Sequence, residues 1–159
     1  MTTIPTAPKV TDSTFARGGR RGERGRRRLA EGGKDDAVRV LVVDDSPAFR
    51  RGMSRAVQVH AGLELVGEAD GGEAALGAIA RLRPDVVLLD LRMPNLDGLG
   101  VLARLRDAHP RPSCRVLLVS ASLDDEVQRA AGAAGAAGCI GKDTPRAEIC
   151  AEALRLARQ

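Results

Sequence analysis

Aromatic residues are almost absent from this sequence, which has two phenylalanines, Phe15 and Phe49, and neither tryptophan nor tyrosine among its 159 residues. Proteins that bind single-stranded nucleic acid by base stacking use several aromatic side chains as platforms. The composition therefore excludes a base-stacking surface for nucleic acid.

Cysteine and long apolar runs are also scarce. The three cysteines, Cys114, Cys139 and Cys150, form no Cys-x-x-Cys pair, which argues against a disulfide framework and a cysteine-based zinc site. No run approaches the ~18 apolar residues of a membrane span, and no apolar segment near the N-terminus indicates a secretory signal. The sequence thus predicts a cytoplasmic protein without a membrane partner.

The net charge of +4 is unevenly distributed along the chain. Residues 1–37 contain nine Lys/Arg and five Asp/Glu, whereas residues 38–159 contain sixteen of each class. Most of the excess lies in Arg17–Arg28, RGGRRGERGRRR, with seven arginines in twelve residues. We expect residues 1–37 to form a disordered basic tail, because they have too little apolar surface to offset the entropy cost of ordering.

Two interpretations of this tail stay open. An arginine-glycine arm is suited to nucleic acid or another polyanion, so any nucleic-acid contact is expected through residues 17–28. Alternatively, the tail has no role, or it results from an upstream start site wrongly included in the translated chain. A start near Val38 would still give a complete domain.

Residues 38–159 alternate five times between a predicted strand and a predicted helix, judged by apolar runs and helical spacing. Ser46 and Pro47 are predicted to begin the first helix, and a capping box, Ser122-x-x-Asp125, the fourth. The predicted strands are Val38–Val43, Leu63–Val66, Asp85–Asp90, Arg115–Val119 and Ala137–Ile140.

This alternation predicts an α/β fold, a (βα)5 doubly wound parallel sheet of five strands in the flavodoxin-like order 2-1-3-4-5. Ligands of such sheets bind beyond the carboxyl ends of the strands. The polar residues that follow the predicted strands there are Asp44, Asp45, Asp90, Ser120 and Lys142.

These five side chains suit phosphoryl transfer. Three carboxylates repel one another unless a hard cation lies among them, and oxygen ligands favour Mg²⁺ or Mn²⁺ over zinc. A lysine and a hydroxyl group can stabilise phosphoryl oxygens, and a carboxylate can act as the nucleophile.

With these motifs, Val38–Gln159 resembles a response regulator receiver domain of two-component signalling. The motifs are LVVDDS, LLDLRMPNLDG, LLVSAS and GAAGCIGKDTP. The surrounding sequence resembles receivers that precede a helix-turn-helix output domain. That domain is missing here, so we expect a single-domain regulator or a fragment of a longer one.

The resemblance implies that Asp90 is the phosphoacceptor and that Ser120 and Lys142 contact the phosphoryl group. It also implies a loop shaped by Pro94, Asp97 and Gly98. The Mg²⁺ ligands that it implies are Asp44 (mainly through water), Asp45, Asp90 and the backbone carbonyl of Arg92.

The implied function is a signalling switch. A sensor histidine kinase or phosphotransfer protein would phosphorylate Asp90, and the domain would then change its affinity for an unidentified output partner. It would catalyse only its own phosphoryl uptake and loss, so it is not predicted to be a turnover enzyme. Homodimer formation is left open.

The sequence departs from the family pattern on the fifth strand, where Cys139 replaces the usual tyrosine or phenylalanine. The usual coupling through that aromatic ring is therefore not expected, and Cys139 is expected to be a buried structural thiol rather than a redox switch. The resemblance also implies a cis peptide bond between Lys142 and Asp143.

Three other functions are alternatives to the signalling switch. A degenerate receiver would act as a phosphorylation-independent binding module, with nucleic acid contacted through the basic tail. A Mg²⁺-dependent phosphohydrolase is disfavoured because no cap domain is present and Arg92 replaces the second acid. A flavin-binding relative is disfavoured because three carboxylates would repel the flavin phosphate.

Overall fold

The computed structural model of the chain describes residues 36–159. The predicted basic tail, residues 1–37, lies almost entirely outside these residues and stays a prediction. None of the helices in the described part is long and apolar enough to cross a membrane.

Five strands and five helices alternate along the described chain. The strands are β1 (Val38–Val43), β2 (Leu63–Ala69), β3 (Val86–Asp90), β4 (Arg115–Ser120) and β5 (Gly138–Gly141). The helices are α1 (Pro47–Val59), α2 (Gly72–Leu82), α3 (Gly98–Ala108), α4 (Asp125–Ala133) and α5 (Arg146–Ala157).

All strand pairs are parallel, and the order is β2-β1-β3-β4-β5. The predicted fold class and strand order are therefore confirmed. This order makes β1 and β3 neighbours, so the residues that follow β1 and end β3 reach the same part of the sheet edge.

The sheet separates two apolar layers. Successive side chains of a strand point to opposite faces, and β1 shows this directly. Val40 and Val42 join a cluster with Met53 of α1 and Ile149 of α5, whereas Leu41 and Val43 belong to the opposite cluster with helices α2, α3 and α4. Burial on both faces explains why the central strands are continuous apolar runs.

Helix α1 begins as the sequence predicts. The hydroxyl oxygen of Ser46 accepts a hydrogen bond from the amide of Phe49 (3.4 Å), and Pro47 occupies the first helical position. The helix ends at His60, whose amide donates to the carbonyl of Val57. This fixed start places the first turn of α1 directly after Asp44 and Asp45.

The predicted capping box at the start of α4 is wrong. The cap is Asp124, whose side chain accepts from the amide of Val127 (2.8 Å). Ser122 lies before the helix, where its backbone amide donates to the hydroxyl oxygen of Ser120 (3.2 Å). This bond holds Ser122 in the β4–α4 loop, two residues too early to cap the helix.

Strand β2 is three residues longer than predicted, because its pairing with β1 continues to Val43 opposite Ala69. Leu82 of α2 packs on Gly67, where a Cβ atom would lie 2.6 Å from a Leu82 methyl carbon. Gly67 interrupts the apolar run on which the predicted strand is based, so the prediction ends one residue before it. The close packing of α2 on Gly67 can be seen only in the folded structure.

Gly98, at the start of α3, provides a first test. A side chain there would place its Cβ atom 2.7 Å from the carbonyl oxygen of Asp90 and 2.9 Å from Leu118. We expect Gly98→Ala to lower the free energy of unfolding by about 1–3 kcal/mol through overpacking, measured by urea denaturation.

Gly77 of α2 is the matched control, because nothing lies within 4 Å of a Cβ atom added there. Gly77→Ala should raise the free energy of unfolding by about 0.5–1 kcal/mol, since alanine is the better helix former. Equal effects of the two substitutions would contradict the close approach at Gly98.

Candidate functional site

Three carboxylates meet at the carboxyl edge of the sheet. Asp44 and Asp45 directly follow β1, and Asp90 ends the neighbouring strand β3. One carboxylate oxygen from each lies within 4.8 Å of the others. Asp44 and Asp90 are only 1% and 3% exposed, whereas Asp45 is exposed. The cluster therefore has a buried floor and one acid on its open side.

Lys142 supplies the cation of this cluster. Its Nζ atom lies 2.7 Å from Oδ2 of Asp44 and 3.2 Å from Oδ2 of Asp90. The backbone amide of Lys142 donates to the carbonyl of Ser120 (2.8 Å), which fixes the residue after β5 beside the end of β4. The ammonium group thus bridges the two buried carboxylates.

Asp44 is oriented from two further directions. Its Oδ1 atom accepts from the amide of Ser46 (2.8 Å), and its carbonyl accepts from a guanidinium nitrogen of Arg50 (2.8 Å). The turn between β1 and α1 thereby fixes the carboxylate, while Arg50 is held across the backbone of the same residue. Arg50 was not identified from the sequence, where it reads as an ordinary charged position on a helix.

Ser120 and Arg92 flank the acceptor position in different ways. Ser120 is buried, and its hydroxyl donates to the carbonyl of Ser122 (2.6 Å). The amide of Arg92 donates to Oδ1 of Asp90 (3.4 Å). The structure thus holds the Ser120 hydroxyl against the β4–α4 loop, and it brings the Arg92 backbone to Asp90.

Electrostatics at the cluster follow from burial. The pKa of Asp90 is raised to about 6, because burial and the nearby charge of Asp44 raise it more than Lys142 lowers it. For Lys142, burial lowers the pKa, but its contacts with Asp44 and Asp90 outweigh burial and the net pKa is raised. Lys142 therefore stays charged and stabilises the ionised carboxylates.

Phe49 is a second residue that sequence reasoning missed as part of the site. Phe49 packs against the apolar cluster that contains Met53 and Ile149, and the Nζ atom of Lys142 lies 4.7 Å from the centroid of its ring. A cation held on a ring face gains electrostatic stabilisation. The signal in the sequence is its position in the first turn of the helix that follows the paired acids.

The loop after Asp90 contains Asp97, one of the residues that the family resemblance implies for its shape. The side chain of Asp97 accepts from the amide of Gly100 (2.8 Å) and caps α3. The amide of Gly98 donates back to the carbonyl of Leu91 (2.8 Å), and Asn95 has a positive φ of 69°. Pro94 accepts at its carbonyl from Leu96 (2.9 Å). These contacts close the loop next to the cluster.

Two expectations concern the segment around β5. Cys139 is half-buried and packs against the apolar layer of α2, α3 and α4, and burial raises the pKa of its thiol. The expected cis bond between Lys142 and Asp143 is wrong, because every peptide bond in residues 36–159 is trans. A cis bond before a residue other than proline costs about 3–4 kcal/mol, and the residue after Lys142 is an aspartate.

The donor set of the cluster fits a hard divalent cation. All three groups are carboxylates, and among residues 36–159 a single ammonium group lies within ion-pair distance of them, which leaves an excess of negative charge. Carboxylate oxygens with space for water suit Mg²⁺ or Mn²⁺. The exposed position of Asp45 leaves the cluster open to solvent on one side.

Comparison with known proteins gives one consistent result. A family model described as response regulator receiver domain matches residues 40–154. The chain is 45% identical over 123 residues to the transcriptional regulatory protein NarL of Mycobacterium tuberculosis, covering 77% of this chain and 56% of that protein. It is 40% identical over 119 residues to response regulator GacA of Pseudomonas viridiflava, covering 75% and 54%. The chain thus spans about half the length of these curated relatives.

Solved structures agree with this match. The signal receiver domain of Mycobacterium tuberculosis NarL has a TM-score of 0.73 and 44% identity, covering 77% of this chain and 98% of that chain. The response regulator domain of Thermotoga maritima CheB has a TM-score of 0.66 and 29% identity, covering 77% and 95%.

The raised pKa of Asp90 gives a test of the buried cluster without a divalent cation. Between pH 4 and 6 the folded protein binds a proton at Asp90 that the unfolded chain, with a pKa near 3.8, has released. The stabilisation that the folded state gains from protonated Asp90 is complete below about pH 4 and is lost as the pH rises through about 6. We expect Asp90→Asn to be more stable than the wild type at pH 7 by on the order of 2 kcal/mol, and this difference to shrink towards pH 4.

Urea denaturation at both pH values in chelator measures this difference. Asp107→Asn, an exposed acid on α3, is the control and should leave the pH dependence of unfolding unchanged. A stability difference between Asp90→Asn and the wild type that is independent of pH would contradict the assignment.

Proposed function

Because this chain belongs to the response regulator receiver domain family, we propose that Asp90 accepts a phosphoryl group and that the domain thereby acts as a signalling switch in a two-component phosphorelay. The observation that carries the proposal is the bridge of Lys142 between the buried Asp44 and Asp90 (2.7 and 3.2 Å). It places a cation beside the one carboxylate that ends a central strand.

In the transfer step, one carboxylate oxygen of Asp90 attacks the phosphorus atom of the donor. The bond between phosphorus and the leaving atom of the donor breaks, and its electron pair departs with that atom. The product is an acyl phosphate on Asp90. Lys142 and Ser120 are proposed to contact the phosphoryl oxygens, whose charge must be neutralised throughout the transfer.

Asp44, Asp45, Asp90 and the backbone carbonyl of Arg92 are proposed to hold Mg²⁺, and Mn²⁺ suits the same oxygen ligands. The metal supplies charge neutralisation for the phosphoryl oxygens. The three carboxylate oxygens within 4.8 Å of one another support this assignment.

The conformational response is proposed to begin at Ser120. Its hydroxyl is bonded to the carbonyl of Ser122, in the loop that leads to α4. A phosphoryl group on Asp90 would offer a charged acceptor in place of this carbonyl, and charge-assisted hydrogen bonds are the stronger ones. Exchange of this bond would shift the β4–α4 loop and bias the domain towards a second conformation.

The donor is proposed to be a sensor histidine kinase or a phosphotransfer protein, and the output partner changes affinity with the state of Asp90. The unit that acts is residues 38–159, with the basic tail as an appended segment. We propose a cytoplasmic location and no turnover of a separate substrate. A phosphorylation-independent module is less well supported, because the contacts of Lys142 with Asp44 and Asp90 support the proposed transfer to Asp90.

Intact mass spectrometry after incubation with acetyl phosphate and Mg²⁺ tests the acceptor. We expect the wild type to gain one phosphoryl group and Asp90→Asn to gain none. Asp107→Asn, the exposed acid on α3, should be phosphorylated like the wild type. Phosphorylation of Asp90→Asn would show that Asp90 is not the acceptor, and loss of the signal in Asp107→Asn as well would show that the loss is not specific to Asp90.

Metal binding is tested separately by thermal unfolding with increasing Mg²⁺. Ligands that bind only the folded state raise the midpoint in proportion to the logarithm of their concentration. We expect Mg²⁺ to stabilise the wild type, and Asp45→Asn to require at least tenfold more Mg²⁺ for the same shift. An equal response of the wild type and Asp45→Asn would remove Asp45 from the proposed ligands.

A further inference from the structure

Arg146 is the first residue of α5, and its side chain packs against two residues of α1. Its Cζ atom is 5.6 Å from the ring centroid of Phe49. Its guanidinium group also lies over Gly52, where a Cβ atom would come within 2.7 Å of Nη2, 2.8 Å of Cζ and 2.9 Å of Nε. The absence of a side chain at position 52 therefore leaves the space that the guanidinium group occupies.

The ring of Phe49 contacts both Arg146 and the lysine of the carboxylate cluster. Lys142 lies over the ring at 4.7 Å, and Lys142 is itself bound to Asp44 and Asp90. Phe49 is thus in contact with one cation inside the cluster and with a second cation outside it. Arg146 is exposed, whereas Lys142 is half-buried.

The guanidinium charge of Arg146 takes part in no ion pair within the described part of the chain. The first position of a helix is also electrostatically unfavourable for a cation, because the N-terminal end carries partial positive charge. Helix α1 adds three arginines, Arg50, Arg51 and Arg55, and no acid. Arg146 therefore places an exposed positive charge next to the Phe49 ring that Lys142 also contacts.

We infer that Arg146 is a phosphodonor-binding residue that attracts the phosphoryl dianion of the donor to the entrance of the Asp90 site. This inference rests on the proposed function. Three carboxylates at the cluster repel a dianion, and the cation on the Phe49 ring reduces that repulsion on the path to Asp90. The guanidinium group has the planar donors that suit phosphoryl oxygens. A phosphoryl dianion is common to small acyl phosphates and to donors with a phosphorus–nitrogen bond.

The test measures the rate of phosphorylation as a function of donor concentration, with acetyl phosphate and with phosphoramidate, at saturating Mg²⁺. We expect Arg146→Gln to raise the half-saturating concentration of both donors about three- to tenfold, with little change in the maximal rate. Arg146→Lys should restore most of the loss. Because ionic screening weakens exposed charges over about 10 Å at 0.1 M salt, the difference from the wild type should shrink with added salt.

Two further variants separate binding of the donor from a structural role. Gly52→Ala keeps every charge but displaces the guanidinium group, so it should raise the half-saturating concentration while leaving thermal stability equal or higher. Arg158→Gln removes the same charge from the other end of α5, about 18 Å away along the helix, and should leave donor kinetics unchanged.

The outcomes distinguish the two proposals. If neither donor phosphorylates the wild type, the proposed function fails. If the wild type is phosphorylated but Arg146→Gln and Gly52→Ala have the same half-saturating donor concentrations as the wild type, the role of Arg146 is refuted. Asp90 then remains the proposed acceptor. An effect confined to acetyl phosphate would also overturn it, because the contact would then be with the acyl group.

Discussion

Mutual repulsion between two buried carboxylates is the constraint on which the arrangement of this domain depends. Asp44 and Asp90 end adjacent strands and are almost fully excluded from solvent. Burying an unpaired charge costs several kcal/mol. Lys142 offsets this cost by contacting both. The parallel order of β1, β3, β4 and β5 is what allows a lysine after the last strand to reach acids on the first and third.

The balance of charge at the cluster also explains how a fold can respond to a small covalent change. Lys142 satisfies Asp44 and Asp90, while Ser120 is satisfied by Ser122 in the adjacent loop. A new anionic group on Asp90 would compete for both donors. Each exchange removes a contact that holds a neighbouring segment, so a local electrostatic event can shift the population of two conformations. The pKa of Asp90 is raised first by burial, and the opposing effect of Lys142 does not cancel the rise. The charged carboxylate therefore remains unfavourable in the unmodified domain.

Close packing around the site depends on glycines as well as on large side chains. Gly98 allows α3 to start against the carbonyl of Asp90, and Gly52 allows the guanidinium group of Arg146 to lie against α1. Gly52 and Arg146 are distant in sequence, whereas Gly98 meets the end of the strand that precedes its helix. The alternation of strands and helices predicted the sheet and its order, but no pattern indicates which glycine faces a neighbour. Gly77, in the same sequence context of a helix, faces open space.

The sequence by itself determined the five βα units, the strand order and the residues that follow each strand, because burial on two faces of a parallel sheet imposes continuous apolar runs and polar ends. It also determined the cap of α1, since Ser46 and Pro47 act through local backbone geometry. Only the tertiary structure decided the contacts of Lys142 and Arg146 with the Phe49 ring and the choice of Asp124 rather than Ser122 as the cap of α4. The contacts on Phe49 join segments far apart in the chain, and the free energy that selects them exists only once the sheet has brought those segments together. The cap of α4 depends on competition between neighbouring hydrogen bonds, because Ser122 is already bonded to Ser120.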